Sequence, residues 1–251
     1  MKEIILFDGG MGQELVKRNH TQNDQLWSSR VLLDNYELVV DLHKEFLDAG
    51  SQVITLNSYA STPQRLKKLN LENLFEKLQK MSVKAAIKAR NSNQKFKDIK
   101  IAGCLPPLEG SYRSGIKIDK NEALDTFKDI VNIQKKHVDF FICETMSSIE
   151  EALIAYEAAN SSGKPIYVSF CISENNGSKL ISQENLFDAC TIFNSKKISA
   201  LGVNCCQFEA VETAIWLVES LDSERNLKII QDISRVTPIS KTKKEMTVPI
   251  P

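Results

Sequence analysis

The sequence predicts an α/β fold of the barrel type, in which βα units surround a parallel sheet, and three observations predict it. Seven short apolar runs rich in Ile, Val, Leu and Phe alternate with longer stretches of helical periodicity. The chain has 251 residues, 42% of them hydrophobic, which suffices to bury one large core of the size an α/β barrel needs. The residues able to do chemistry fall just beyond apolar runs, at the strand ends where barrels build active sites.

The elements follow in order along the chain. A strand over residues 3–7 ends at the turn Asp8-Gly9-Gly10, and a short helix starts behind it. A helix over 35–49 repeats Leu38, Val39, Leu42, Phe46 and Ala49 at intervals of three to four, with Glu37, Asp41, Lys44, Glu45 and Asp48 between them; Gly50 stops it. A strand over 52–56, a helix over 71–90, a strand over 99–103 and a helix over 120–136 continue the alternation. After a strand over 138–142, Ser147 reads as the N-cap of a helix over 148–161, with Glu150 and Glu151 in its first turn, so Glu144-Thr145-Met146 falls in a strand-to-helix loop. Strands over 166–170, 200–203 and 227–230 enclose helices over 183–194 and 209–221. No eighth strand is visible beyond them. Gln231-Asp232-Ile233-Ser234-Arg235 and a polar, Pro-containing tail with Lys241, Lys243 and Lys244 close the chain. The expectation is a single domain over 1–251 with an atypical tail over 230–251, its barrel incomplete at the C-terminal end with about seven strands.

Composition narrows the function classes. The 32 basic and 32 acidic residues cancel, so no global field favours nucleic acid or an anionic membrane. The apolar run at residues 4–7 is too short for a secretory segment, and no stretch could span a bilayer. Six cysteines stand without a disulfide framework, and the expected setting is a reducing cytoplasm with a small molecule as partner.

Cys104, Cys143, Cys171 and the pair Cys205-Cys206 all lie at or just past strand ends. Neighbouring strand residues alternate between barrel interior and helix layer, so these thiols cannot all converge. Cys104, Cys143, Cys171 and Cys190 read as small buried hydrophobes. Cys205 reads as a presented side chain, because Gly202 and Asn204 suit a turn. Asp8 and Glu144 each follow an apolar run directly, and a carboxylate there needs a cation or donor, for which a ligand ammonium qualifies. For Asp8 a turn-forming role before Gly9-Gly10 stands as the alternative. Gly9, Gly10 and Gly12 allow close backbone approach, with amides able to hold a carboxylate at the start of the next helix. Their spacing fails the dinucleotide fingerprint Gly-x-Gly-x-x-Gly. Asn57-Ser58-Tyr59 adds polar groups at the second strand's end. His20, His43 and His137 stand singly and are assigned no ligand role, and the lysines lie on helices or in polar loops, which argues against Schiff-base chemistry.

With these residues in place, the chain resembles the homocysteine S-methyltransferase family, the group that includes S-methylmethionine-dependent and betaine-dependent enzymes. The resemblance covers roughly residues 3–230. It rests on Asp8-Gly9-Gly10-Met11-Gly12-Gln13-Glu14-Leu15, Trp27-Ser28, the stretch from Ala49-Gly50-Ser51 to Asn57-Ser58-Tyr59, the loop from Leu105-Pro106-Pro107 to Ser111-Tyr112-Arg113, Phe141-Ile142-Cys143-Glu144-Thr145, and Gly202-Val203-Asn204-Cys205. It implies a (β/α)8 TIM barrel that moves a methyl group from a sulfonium or ammonium donor, S-methylmethionine foremost, onto the thiol of L-homocysteine to give methionine. It further implies zinc with Cys205 as a ligand, Asp8 and Glu144 against the amino acid, Gly9 and Gly10 near its carboxylate, and Asn57, Tyr59 and Asn204 as supporting polar groups. The family's other two zinc ligands lie in a Gly-Gly-Cys-Cys motif that this sequence does not contain, and Gln231-Asp232-Ile233 replaces a Tyr-Pro-Asn-like loop. An impaired enzyme, or a metal-free amino acid binder without catalysis, is the alternative expectation. An open barrel edge would be covered by a partner copy, which makes a homo-oligomer the expected assembly.

Overall fold

A computed structural model describes residues 5–20, 24–114, 117–207 and 210–214. Its helices are α1 (Met11–Arg18), α2 (Ser28–Asp34), α3 (Tyr36–Asp48), α4 (Pro63–Lys67), α5 (Phe75–Arg90), α6 (Lys120–Gln134), α7 (Ile149–Asn160) and α8 (Leu186–Asn194). Its strands are β1 (Val53–Thr55), β2 (Lys100–Leu105), β3 (Phe140–Met146), β4 (Ile166–Phe170), β5 (Ile172–Ser173), β6 (Asn176–Leu180) and β7 (Ala200–Val203). Strands β1, β2, β3, β4 and β7 form a parallel sheet in that order, and β5 and β6 form a separate hairpin. The register sets Ile54 beside Ile101, Cys104 beside Ile142, and Val168 beside Leu201.

The sheet is rolled. Phe7 adds to its edge by a parallel bridge to Val53, which in a flat sheet would leave it four strand spacings, about 19 Å, from β4. Its ring instead lies 6.1 Å from that of Phe140 in β3 and 6.2 Å from that of Tyr167 in β4. Curvature of the barrel kind produces that contact. The two strand faces accordingly build two cores. Val53, Ala102, Phe140, Ile142 and Ala200 pack inside with Ile5, Phe7 and Tyr167, while their neighbours Ile54, Ile101, Phe141, Val168 and Leu201 pack outward in the helix-layer core. Period-two alternation along each strand is the cause.

Several expectations are corrected. The strand over 3–7 survives, in its described part, only as the Phe7 bridge: the Gln52 side chain accepts the Leu6 N–H at 3.0 Å, where a regular ladder would use a main-chain carbonyl. The helix over 71–90 breaks into a 3₁₀ turn, Glu72–Leu74, followed by α5. Ser148, not Ser147, caps α7, its hydroxyl accepting from the Glu151 N–H at 3.2 Å. Strand β3 runs on through Glu144, Thr145 and Met146, so these three residues are not a loop. Helices α2 and α4 and the hairpin had no counterpart in the periodicity. α4 is a single turn started by the Thr62 cap and Pro63, and the hairpin is fixed by tertiary contact: a Cβ on Gly177 would fall 2.3 Å from the Ala210 carbonyl oxygen. Of the helix expected over 209–221, residues 210–214 are helical. The rest of it, the strand over 227–230 and the tail over 230–251 lie outside the described residues. Among the described residues no helix is long and apolar enough to cross a membrane.

His43 sits on the buried face of α3, fully enclosed, and neither ring nitrogen has a hydrogen-bond partner among the described residues. Burial pushes its pKa down to about 3. The folded state therefore holds the neutral ring, whereas the unfolded chain takes up a proton below about pH 6.5. Stability is fully present above that pH and falls as pH drops toward 3. His43→Leu is expected to unfold at higher denaturant than the parent at pH 7, and by urea titration to gain a further margin of about 2 kcal/mol at pH 5.

Candidate active site

A cleft of about 450 Å³ opens where the main-sheet strands end, lined from several elements by Asp8, Thr55, Tyr59, Glu144, Asn204 and Cys205 among others. Volume and position both suit a small-molecule site in a barrel.

The first wall is the turn behind Phe7. The Asp8 N–H continues the ladder to the Val53 carbonyl at 2.9 Å, and its carboxylate accepts from the Thr55 N–H at 2.7 Å and the Thr55 hydroxyl at 3.0 Å. Asp8 is thereby fixed across to β1 with its acid at the cleft. Gly9 and Gly10 lead into α1, whose first residues Met11, Gly12 and Gln13 also line the cavity. Gly12 has a packing role the sequence did not disclose: a Cβ there would lie 2.3 Å from the Trp27 ring. Its absence admits the indole to the wall.

The second wall comes from the loops after β1 and β2. Asn57 is buried and donates to the Ser28 carbonyl at 3.4 Å. The Tyr59 hydroxyl pairs with the Ser111 hydroxyl at 2.6 Å, its ring meets Trp27 edge-on at 6.0 Å, and the Arg65 guanidinium lies 4.9 Å from its centroid. Burial above all pushes the Tyr59 phenol far above its usual pKa, with Cys205 and Glu144 adding to the shift against Arg65. It remains protonated. Tyr112 reaches across to donate to the Cys205 carbonyl at 3.4 Å.

The third wall carries the strain. The β3–β4 register shifts between Cys143 and Met146, and Thr145 within that bulge adopts φ +58°, a left-handed conformation unfavourable for a β-branched residue. Asn204, just past β7, holds it: the Thr145 N–H donates to Asn204 Oδ1 at 2.8 Å, and Asn204 Nδ2 donates to Thr145 Oγ1 at 2.9 Å. The bulge turns Glu144 to the cleft in half-buried form. Beneath it the Cys104 thiol is pushed well above its usual range, first by burial and then by the Glu144 charge, and also hydrogen-bonds to that carboxylate. Cys205, itself at φ +55°, lines the cleft with its sulfur 3.4 Å from Asn204 Nδ2 and 3.5 Å from Thr145 Oγ1.

All eight expected site residues, Asp8, Gly9, Gly10, Asn57, Tyr59, Glu144, Asn204 and Cys205, are thus brought to one cavity. Thr55, Arg65 and Ser111 join them without having been anticipated. Arg65 sits on a one-turn helix that no periodicity announces, so only the fold reveals it.

The other thiols are buried elsewhere. Cys143 and Cys190 belong to the helix-layer core. Cys206 donates to the Asn204 carbonyl at 2.9 Å and accepts from the Ile172 N–H at 3.3 Å, and Cys171 donates to the Cys205 carbonyl. Zinc asks for three or four protein ligands. Among the described residues no group of three or more His, Cys, Asp or Glu could hold a metal ion, so the described donors alone do not complete a zinc site.

Fold and site together define a barrel of the TIM type whose cleft of about 450 Å³ is lined by two carboxylates and a thiol. The homocysteine S-methyltransferase family model matches residues 5–246, and the chain belongs to that family. Betaine–homocysteine S-methyltransferase 1 of Rattus norvegicus is 31% identical over 234 residues, 89% of this chain and 54% of that protein. Homocysteine S-methyltransferase of Escherichia coli (strain K12) is 29% identical over 239 residues, covering 88% and 75%. The chain spans about half the length of the rat relative. Among solved structures, the metallated form of the homocysteine methyltransferase MmuM from Escherichia coli superposes with a TM-score of 0.79 at 26% identity, over 92% of this chain and 83% of that one.

Two consequences are measurable. Asn204→Ala removes both bonds to Thr145 and is expected to lower unfolding stability by about 2–3 kcal/mol; replacing Thr145 by Gly in that background should recover part of the loss. Glu151, buried at the start of α7, accepts from the Leu108 N–H at 3.2 Å, yet burial raises its pKa to about 7. A raised carboxyl contributes stability below about pH 4.5 that is lost as pH rises through 7. Glu151→Gln keeps the acceptor without the charge, so by urea unfolding it should exceed the parent by about 3 kcal/mol at pH 8 and by much less at pH 5.

Proposed function

We propose that this cleft transfers a methyl group from a sulfonium or ammonium donor, S-methylmethionine foremost, to the thiol of L-homocysteine, forming methionine. The convergence of Asp8, Glu144 and Cys205 on one cavity with aromatic walls carries the reading. The two carboxylates suit the substrate ammonium, and the backbone at Gly9 and Gly10, at the head of α1, suits its carboxylate. Trp27 and Tyr112 offer faces to a cationic donor. Homocysteine loses its thiol proton to solvent, its sulfur attacks the methyl carbon in line, and the carbon–sulfonium bond breaks to release the donor as a neutral thioether. Alignment of the two molecules is the cleft's main contribution.

Zinc enters the family reading through Cys205, which we take as its ligand in this chain; when bound, the metal would stabilise a substrate thiolate. Because the described donors do not complete its coordination, no step is routed through it. The same observation favours a second reading, an amino acid binding barrel that has kept Asp8 and Glu144 and lost the chemistry. We further take residues 1–251 as one homocysteine-binding domain that acts in the cytoplasm as a homo-oligomer.

The test combines metal content with turnover. Purified without chelator, the chain is expected to form methionine from homocysteine and S-methylmethionine, and Glu144→Gln to lower kcat/KM by about 100-fold. Zinc that is near-stoichiometric in the parent and lost in Cys205→Ala would place the metal at that thiol. Folded protein that binds homocysteine yet yields no methionine, with or without added zinc, would leave the binding-only reading.

A further inference from the structure

We infer that the Arg65 guanidinium anchors the carboxylate of the methyl donor, so that the cleft selects zwitterionic donors carrying an onium centre and a carboxylate on one small molecule. The inference deepens the methyl-transfer reading and rests on it.

Arg65 is the only cationic side chain among the described residues lining the cleft, where Asp8 and Glu144 are the acids. It is half-buried and makes no ion pair with any described carboxylate, whereas Arg18, Arg30 and Arg90 each meet an acid. Of its five N–H donors, one on Nη2 reaches the Pro107 carbonyl at a long 3.4 Å, and Nε is enclosed with no partner among the described atoms. A partly desolvated guanidinium with unmet donors is an unstable arrangement until a carboxylate completes it, and its planar fork matches one in two-point fashion.

The anchor's location assigns it to the donor. Homocysteine's carboxylate already has the head of α1 beside Asp8, on the first wall. Arg65 stands on the second, where Tyr59 holds it at 4.9 Å and Ser111 and Tyr112 follow. A donor with its carboxylate at Arg65 and its onium against Trp27 or Tyr112 points its methyl group into the cavity, toward the sulfur side at Cys205.

Calorimetric titration tests this with two probes, S-methylmethionine and its carboxamide, which share the sulfonium and the amine and differ only in the carboxylate. The full chain is expected to bind the acid about tenfold or more tightly than the amide, and Arg65→Met to abolish that preference while homocysteine affinity stays within about twofold. Loss of a merely structural arginine would weaken both probes alike. Arg65→Gln, which retains a donor for the Pro107 carbonyl without the charge, carries the same expectation if the Met variant does not fold. No preference in the parent, or a preference that survives in the variant, overturns the assignment of Arg65 while homocysteine binding leaves the wider reading standing. A parent that binds neither homocysteine nor either probe overturns both.

Discussion

The reciprocal pair of hydrogen bonds between Asn204 and Thr145 is the contact on which the site depends. It ties the end of β7 to the end of β3 across β4. Thr145 would relax from φ +58° without it, and the bulge that points Glu144 at the cleft would lose its reason to persist. The same amide approaches the Cys205 sulfur at 3.4 Å. One side chain therefore sets the mutual placement of the acid and the thiol, which are 61 residues apart in sequence. Strain at a functional site persists only where its surroundings over-determine it, and here two bonds to one buried amide do so.

That constraint works only on a rolled sheet. The packing of Phe7 against Phe140 and Tyr167 brings the first strand position round toward the later strands, and the strand ends then surround a common opening. Asp8 follows directly on Phe7, Glu144 follows two residues after Ile142 in the inner core, and Cys205 follows the end of β7. The inner aromatic cluster and the cleft are successive layers of one structure, apolar below and polar above.

Charge in the cleft is asymmetric. Two carboxylates and one guanidinium line the same cleft as the rings of Trp27, Tyr59 and Tyr112. Elsewhere the fold carries polar groups at a cost in stability, as at His43, whose buried ring finds no partner among the described residues, and at Glu151, whose buried carboxylate anchors the Leu108 backbone. The two titrations act in opposite directions: protonation of His43 is opposed as pH falls below about 6.5, and ionisation of Glu151 is opposed as pH rises from about 4.5 through 7.

The sequence by itself determined the α/β class, the positions of β4 and β7, the main helices and the placing of Asp8, Glu144 and Cys205 at strand ends. Those features depend on local periodicity and on residues placed at strand ends, both of which are written in the order of the chain. Family motifs added the homocysteine connection, since no periodicity encodes a substrate. Tertiary structure alone decided the rest. Glu144 reads as a loop residue until the bulge keeps it in β3. Gly12 reads as a ligand-facing glycine until Trp27 fills the space beside it. Arg65 carries no signal in the sequence, and only α4 sets it over Tyr59. The first two depend on Asn204 and Trp27, each more than ten residues away, and the third on the turn that leads into α4; such packing leaves no imprint on the local pattern from which a sequence is read.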